Sequence, residues 1–192
     1  MKGQRSLRKL LSFTAVIGCL LISGCIITLN PTGDTWVLST DPLANYCYSD
    51  CQWSQNLTSG VARQYFQFDT SSVTGTVNSA ILRLYYCQGC TPLNSVLGAF
   101  EVLDYWDHCL LDWVNQPPHN LGPEDEVFCT AGGPPYVEFD ITGLVQTWVD
   151  EPAKNFGVVL KVDEDIPGSL FSFFSVDGTT STMPQLTIDY AP

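Results

Sequence analysis

The chain has 192 residues, with 8 Lys and Arg against 20 Asp and Glu for a net charge of −12, and 45% of it is hydrophobic. The first 24 residues hold four of the basic groups and no acidic one, so the remainder carries 4 basic and 20 acidic side chains, a net of −16. That balance excludes a nucleic-acid binder, which needs clustered Lys and Arg against phosphate, and docking on an anionic bilayer through protein charge, while the hydrophobic content excludes wholesale disorder and the length fits one domain.

The opening stretch reads as an export signal. Lys2, Arg5, Arg8 and Lys9 precede an apolar run from Leu10 to Ile22, too short for a comfortable bilayer span. The run ends Ile22-Ser23-Gly24-Cys25, which resembles the lipobox of prokaryotic lipoproteins. The resemblance implies cleavage after Gly24, diacylglycerol on the Cys25 thiol, and a protein exported and lipid-anchored at the cell surface or in the periplasm. Cys19 offers a second lipobox-like position but would cut the apolar run short. Residues 1–24 are therefore expected as signal peptide and 25–34 as a lipidated tether, whose nine residues after Cys25 reach at most about 30 Å.

From Thr35 to the end the pattern is that of one β domain, 35–192. Thr35–Thr40 and Ala62–Phe68 are rich in strand formers, and 69–72 reads as a turn. Ala80, Leu82, Leu84 and Tyr86 share one face; Phe156, Val158, Leu160 and Val162 alternate with Gly157, Val159 and Lys161; Leu186, Ile188 and Tyr190 alternate with Thr187 and Asp189. Period-two alternation marks antiparallel strands with one wet face. One stretch differs: Ile141, Leu144, Val145, Trp148 and Val149 follow helical spacing, with Asp140 or Thr142 to cap the start and Pro152 to stop it. The fold expected is all-β, an antiparallel β-sandwich with one short α-helix.

Six cysteines remain after Cys19 and Cys25: Cys47, Cys51, Cys87, Cys90, Cys109 and Cys129. An even number in an exported chain reads as a disulfide framework. Proximity in sequence suggests Cys47–Cys51, Cys87–Cys90 and Cys109–Cys129. Redox chemistry at Cys87-Gln-Gly-Cys90 lacks its usual βαβ setting, and zinc held by the Cys47/Cys51 and Cys87/Cys90 pairs would compete with oxidation outside the cytosol.

Several blocks then resemble one family in order. Thr35-Trp36-Val37 with Asn45-Tyr46, Gln64-Tyr65-Phe66-Gln67-Phe68-Asp69, and Ser79-Ala80-Ile81-Leu82-Arg83-Leu84-Tyr85 are similar to the opening and core of the DNRLRE-type domain. Asp112-Trp113-Val114-Asn115-Gln116-Pro117, Phe139-Asp140-Ile141-Thr142-Gly143-Leu144-Val145-Gln146-Thr147-Trp148, Asn155-Phe156-Gly157-Val158 and Pro184-Gln185-Leu186-Thr187-Ile188-Asp189-Tyr190 continue it. The resemblance covers about 34–190 and implies a jelly-roll-like sandwich of prokaryotic surface proteins. Some of its relatives are carbohydrate-binding modules.

Candidate sites follow from residue chemistry. Tyr46, Tyr48 and Trp53 surround Cys47 and Cys51; flat amphipathic rings pinned by a disulfide suit stacking on sugars, whereas the plain alternative is packing over one end of the sandwich. Trp106, Trp113 and Trp148 are expected in the core. Asp104, Asp107 and Asp112 could supply oxygen to a structural calcium ion, but acids are abundant here, the 163–165 run among them, and solvated carboxylates keep an exported domain soluble. Asn56-Leu57-Thr58 fits a glycosylation acceptor. With two histidines, and Asp107-His108-Cys109 a purely local grouping, nothing assembles a nucleophile with its base. The expected function is non-catalytic binding of a carbohydrate, a neutral polysaccharide fitting the −16 charge best. The alternative is a structural or adhesive protein whose partner is a surface protein.

Overall fold

The computed structural model describes residues 24–192 except 93, 131–132 and 180. The export signal, with Cys19, therefore lies outside the described residues apart from Gly24. Eleven strands and one α-helix follow in order: β1 (Cys25–Leu29), β2 (Gly33–Leu38), β3 (Cys51–Leu57), β4 (Gly60–Gln67), β5 (Thr76–Thr91), β6 (Val96–Glu101), β7 (Asp125–Phe128), β8 (Tyr136–Asp140), α1 (Thr142–Asp150), β9 (Val158–Val162), β10 (Ser169–Phe174) and β11 (Gln185–Ala191). Every pairing is antiparallel. The expected all-β class with one helix is what forms.

The sheet folds over on itself through β5. Its first part pairs with β11 and β8, setting Leu82 opposite Leu186 and Phe139, while its far end pairs with β10. The register with β10 shifts between Ser172 and Phe173, and Gly89 in that stretch has φ of +94°. A bulge needing a left-handed residue is where glycine belongs. Between the two layers lie Leu82, Leu84, Leu186 and Ile188 from one side and Phe66, Leu97, Leu160, Phe171 and Phe173 from the other. Helix α1 closes the end of this core with Leu144, Val145 and Trp148. Ile141 holds its cap position, and the Asp140 Oδ1 accepts the Thr142 N–H at 3.0 Å.

The wet outer face expected for β9 is covered. Val158, Val159 and Leu160 are all fully buried, because the segment between β6 and β7 lays Val102, Trp106 and Leu111 over Val159, Tyr65 and Phe100 as a second core. The expected core tryptophans are placed accordingly: Trp148 in the main core, Trp106 in the second, Trp113 packed against it.

Residues 25–29, expected in a tether, instead form β1 along β11, with Cys25 opposite Tyr190 and Ile27 opposite Ile188. Ile27 and Leu29 pack against the main core, so a two-residue alternation draws the segment into the sheet.

All six cysteines are oxidised, in a pairing different from the one proximity suggests. The bonds are Cys47–Cys109, Cys51–Cys87 and Cys90–Cys129, closing 62, 36 and 39 residues. Cys87 and Cys90 both lie on β5, where three residues of extended chain separate Cα atoms by roughly 10 Å, beyond disulfide reach. Cys51 starts β3 and Cys87 lies on β5, the two strands that flank β10. Cys129 is drawn to Cys90 by backbone bonds to Asn94 and Ser95.

Candidate functional site

The Cys47–Cys109 bridge joins two loops that the sequence analysis treated as separate sites. Asn45 fixes the same junction, its Nδ2 donating to the carbonyls of His108 and Leu111 at 2.9 and 2.7 Å. Tyr46 and Tyr48 therefore stand beside the acidic stretch 104–112. Tyr46 is largely committed to packing: its ring stacks on Trp36 with centroids 3.9 Å apart, and its hydroxyl donates to Asp41 Oδ2 at 3.1 Å. Tyr48 is 83% exposed, and across the bridge Tyr105 is 72% exposed. Beside Tyr105 a shallow cleft of about 250 Å³ is lined by Trp106, Asp107, Leu110, Leu111 and Asn115. Trp53 is elsewhere, on β3 opposite Ser172 of β10.

Asp104, Asp107 and Asp112 do not converge. Each shapes its own turn: Asp104 Oδ1 accepts the Tyr105 N–H, Asp107 Oδ1 the Cys109 N–H, and Asp112 Oδ1 the N–H groups of Val114 and Asn115. Among the described residues no cluster of three or more His, Cys, Asp or Glu side chains forms a metal site. These short bonds rigidify the loop that carries Tyr105. The Asp107-His108-Cys109 grouping loses its thiol to the bridge, and Asn56 of the glycosylation motif spends its amide on the Glu164 carbonyl at 2.6 Å.

A second concavity of about 580 Å³ opens on the outer face of β6 and β9, floored by Gly98 and Phe100 and rimmed by Glu126, Asp163, Glu164 and Asp165. Lys161 lies over the Phe100 ring at 4.7 Å, and burial pushes its ammonium below the usual lysine range. At one side the Arg63 guanidinium makes two bonds to Glu164, of 2.6 and 2.8 Å, and lies 4.9 Å over Trp113. Gln116 Oε1 accepts from both Arg63 and the Tyr65 hydroxyl. Burial works to raise the Glu164 carboxyl, but the Arg63 hydrogen bond and charge outweigh it and hold it low. The rings here are covered by cations or buried, so stacking surface is scarcer than at Tyr48 and Tyr105.

Tyr105 carries no signal of its own in the sequence, although it neighbours Trp106 in the same stretch. Its relevance depends on which cysteine meets Cys47, and that is long-range information. Rings held on two loops by a covalent cross-link can grip an extended, uncharged polymer at little ordering cost.

The model of carbohydrate-binding module family 96 matches residues 26–190. Among curated proteins none matches the chain.

Proposed function

The chain belongs to carbohydrate-binding module family 96, and from that membership we propose that it binds a neutral polysaccharide, without acting on it, where the Cys47–Cys109 bridge holds Tyr48 and Tyr105. Carbohydrate-binding module families are generally non-catalytic. The observation that carries the location is the exposure of both rings on cross-linked loops. The charge of −16 after residue 24 disfavours uronate-rich or sulfated polymers through like-charge repulsion. Within the family we read the ordered sequence blocks as those of the DNRLRE type.

The same proposal places the domain outside the cytosol and anchors it by lipid on Cys25. Three disulfides fit an oxidising compartment. Cys25 is exposed and forms no disulfide, and no helix among the described residues is long and apolar enough to cross a membrane. Because β1 begins at Cys25, the anchored domain would sit directly on the bilayer.

Affinity electrophoresis through gels containing neutral or acidic polysaccharides tests the binding, and mass spectrometry of the isolated chain tests for a diacylglycerol adduct on Cys25. Retardation by a neutral polymer is expected. Its absence in every gel favours the adhesive reading, in which the partner is another surface protein.

A further inference from the structure

The two loops joined by Cys47–Cys109 gather exposed apolar side chains. Leu43 and Tyr48 stand on one, Tyr105, Leu110 and Val114 on the other, and all five are largely exposed. Apolar surface concentrated in one place on a folded domain marks where something docks. Slack loops are not the cause. Asn45 ties the two together at the His108 and Leu111 carbonyls. Asn115 braces the second one, its Nδ2 donating to the Leu110 carbonyl and its Oδ1 accepting the Asp112 N–H, both at 2.9 Å.

The cleft of about 250 Å³ beside Tyr105 has two kinds of wall. Leu110, Leu111 and Trp106 form the apolar one, and Trp106 offers only carbon there because its Nε1 donates to the Phe156 carbonyl at 2.7 Å. Asp107 and Asn115 form the polar one, each with capacity to spare. Asp107 Oδ1 accepts the Cys109 N–H at 2.8 Å, while its other carboxylate oxygen has no hydrogen-bond partner among the described residues. The Asn115 amide nitrogen carries two hydrogens and spends one on Leu110. An acceptor and a donor therefore share one cleft with two leucines, and Asp107 is the only charged group among the residues that line it.

A space this small takes one substituent rather than a whole small molecule. A plain glucan would bring a hydroxyl, which needs a polar partner when it leaves water, and leucine supplies none. An acetamido group divides as the cleft does, into a methyl, an N–H and a carbonyl. We propose, resting on the glycan reading above, that the polymer bound here is built of N-acetylated amino sugars. The sugar ring lies against Tyr105. Its acetamido methyl packs on Leu110 and Leu111, its N–H donates to Asp107, and its carbonyl accepts from Asn115. Such a polymer is neutral, whereas a uronate carboxylate in the same place would meet Asp107 with like charge.

The test is isothermal titration calorimetry of the full chain with two β-1,4-linked hexamers, one of N-acetylglucosamine and one of glucose. They differ only in the acetamido group that replaces a hydroxyl on the second carbon of each ring. The N-acetylglucosamine hexamer is expected to bind at least about tenfold more tightly. Leu110→Ser and Asp107→Asn should each bring its affinity down to that of the glucose hexamer, and Leu110→Ser, at an exposed position, carries the test if Asp107→Asn does not fold. Equal binding of the two hexamers, both lost in the Tyr48→Ala, Tyr105→Ala double variant, would overturn the acetamido assignment and leave the glycan reading standing. Binding of neither hexamer would also overturn it, and the polysaccharide gels would then decide the glycan reading by themselves. A preference that survives both substitutions would place the acetamido group outside this cleft and overturn the proposal.

Discussion

Tyr46 stacks on Trp36, the two rings 17° from parallel, and this contact links the exposed loop to the inner face of β2. Tyr46 therefore serves the loop's position, while Tyr48, two residues on, is free to meet a ligand. Tyr46→Ala is expected to cost about 1–2 kcal/mol of stability through the lost aromatic contact and burial. Tyr48→Ala should leave thermal unfolding unchanged and weaken glycan binding instead. Thermal unfolding and affinity electrophoresis of the two variants side by side separate the roles.

The disulfide pairing carries a second expectation. Non-reducing peptide mapping should recover Cys47 with Cys109, Cys51 with Cys87 and Cys90 with Cys129. In the chain-entropy account loops of these lengths contribute up to about 4 kcal/mol each. Cys47→Ser with Cys109→Ser should destabilise the domain and abolish glycan binding together, since it releases both ring-bearing loops.

Arg63 and Glu164 form a part-buried pair, their side chains 18% and 28% exposed. Glu164 sits below the usual carboxylate range in the folded chain, so the unfolded chain binds the proton first on acidification. The pair's contribution is whole above the ordinary glutamate pKa and is lost as pH falls through the depressed folded value. Glu164→Gln should cost about 2 kcal/mol at pH 7 and much less at pH 3, as denaturant unfolding at the two pH values would show.

Asp34 works in the opposite direction. Its folded carboxyl is raised to about 7 by burial, so at intermediate pH the folded chain holds a proton that the unfolded chain has released. Stability should fall as pH rises from about 4 to about 7, by up to about 4 kcal/mol. Asp34→Asn should remove that slope. Denaturant unfolding of the wild type and the variant across this range checks it.

Gly157 gives a purely steric prediction. Its φ is +86°, and a Cβ there would collide with the Phe66 carbonyl oxygen where β9 begins against β4. Gly157→Ala should cost about 2 kcal/mol or more, read as a lower midpoint in urea.

Much of this fold was legible in local pattern. Alternation around Leu82 and Leu186 and the helical spacing of Ile141 to Trp148 correspond to β5, β11 and α1, because each signal is a period within one element. The two-sided burial of Val159 was not legible, since it depends on the segment bearing Trp106 and Leu111 returning over the sheet. The tether failed for a related reason: Ile27 and Leu29 form a short apolar alternation whose partner, Ile188 and Leu186, lies at the far end of the chain. Of the proposed glycan site, the Tyr46–Tyr48 loop could be read, while Trp53 and the three aspartates were grouped by sequence proximity that the fold does not preserve. Asp34 and Gln52 have no shared signal, as only the pairing of both β2 and β3 with β4 brings them together.

The most direct test of the glycan-binding account is affinity electrophoresis of the wild-type chain beside the Tyr48→Ala, Tyr105→Ala double variant, in gels with and without a neutral polysaccharide. The account predicts that the wild type is retarded and the double variant migrates as in the blank gel, with an unchanged Tm. Equal retardation of the two proteins would contradict it and move the site away from the Cys47–Cys109 loops.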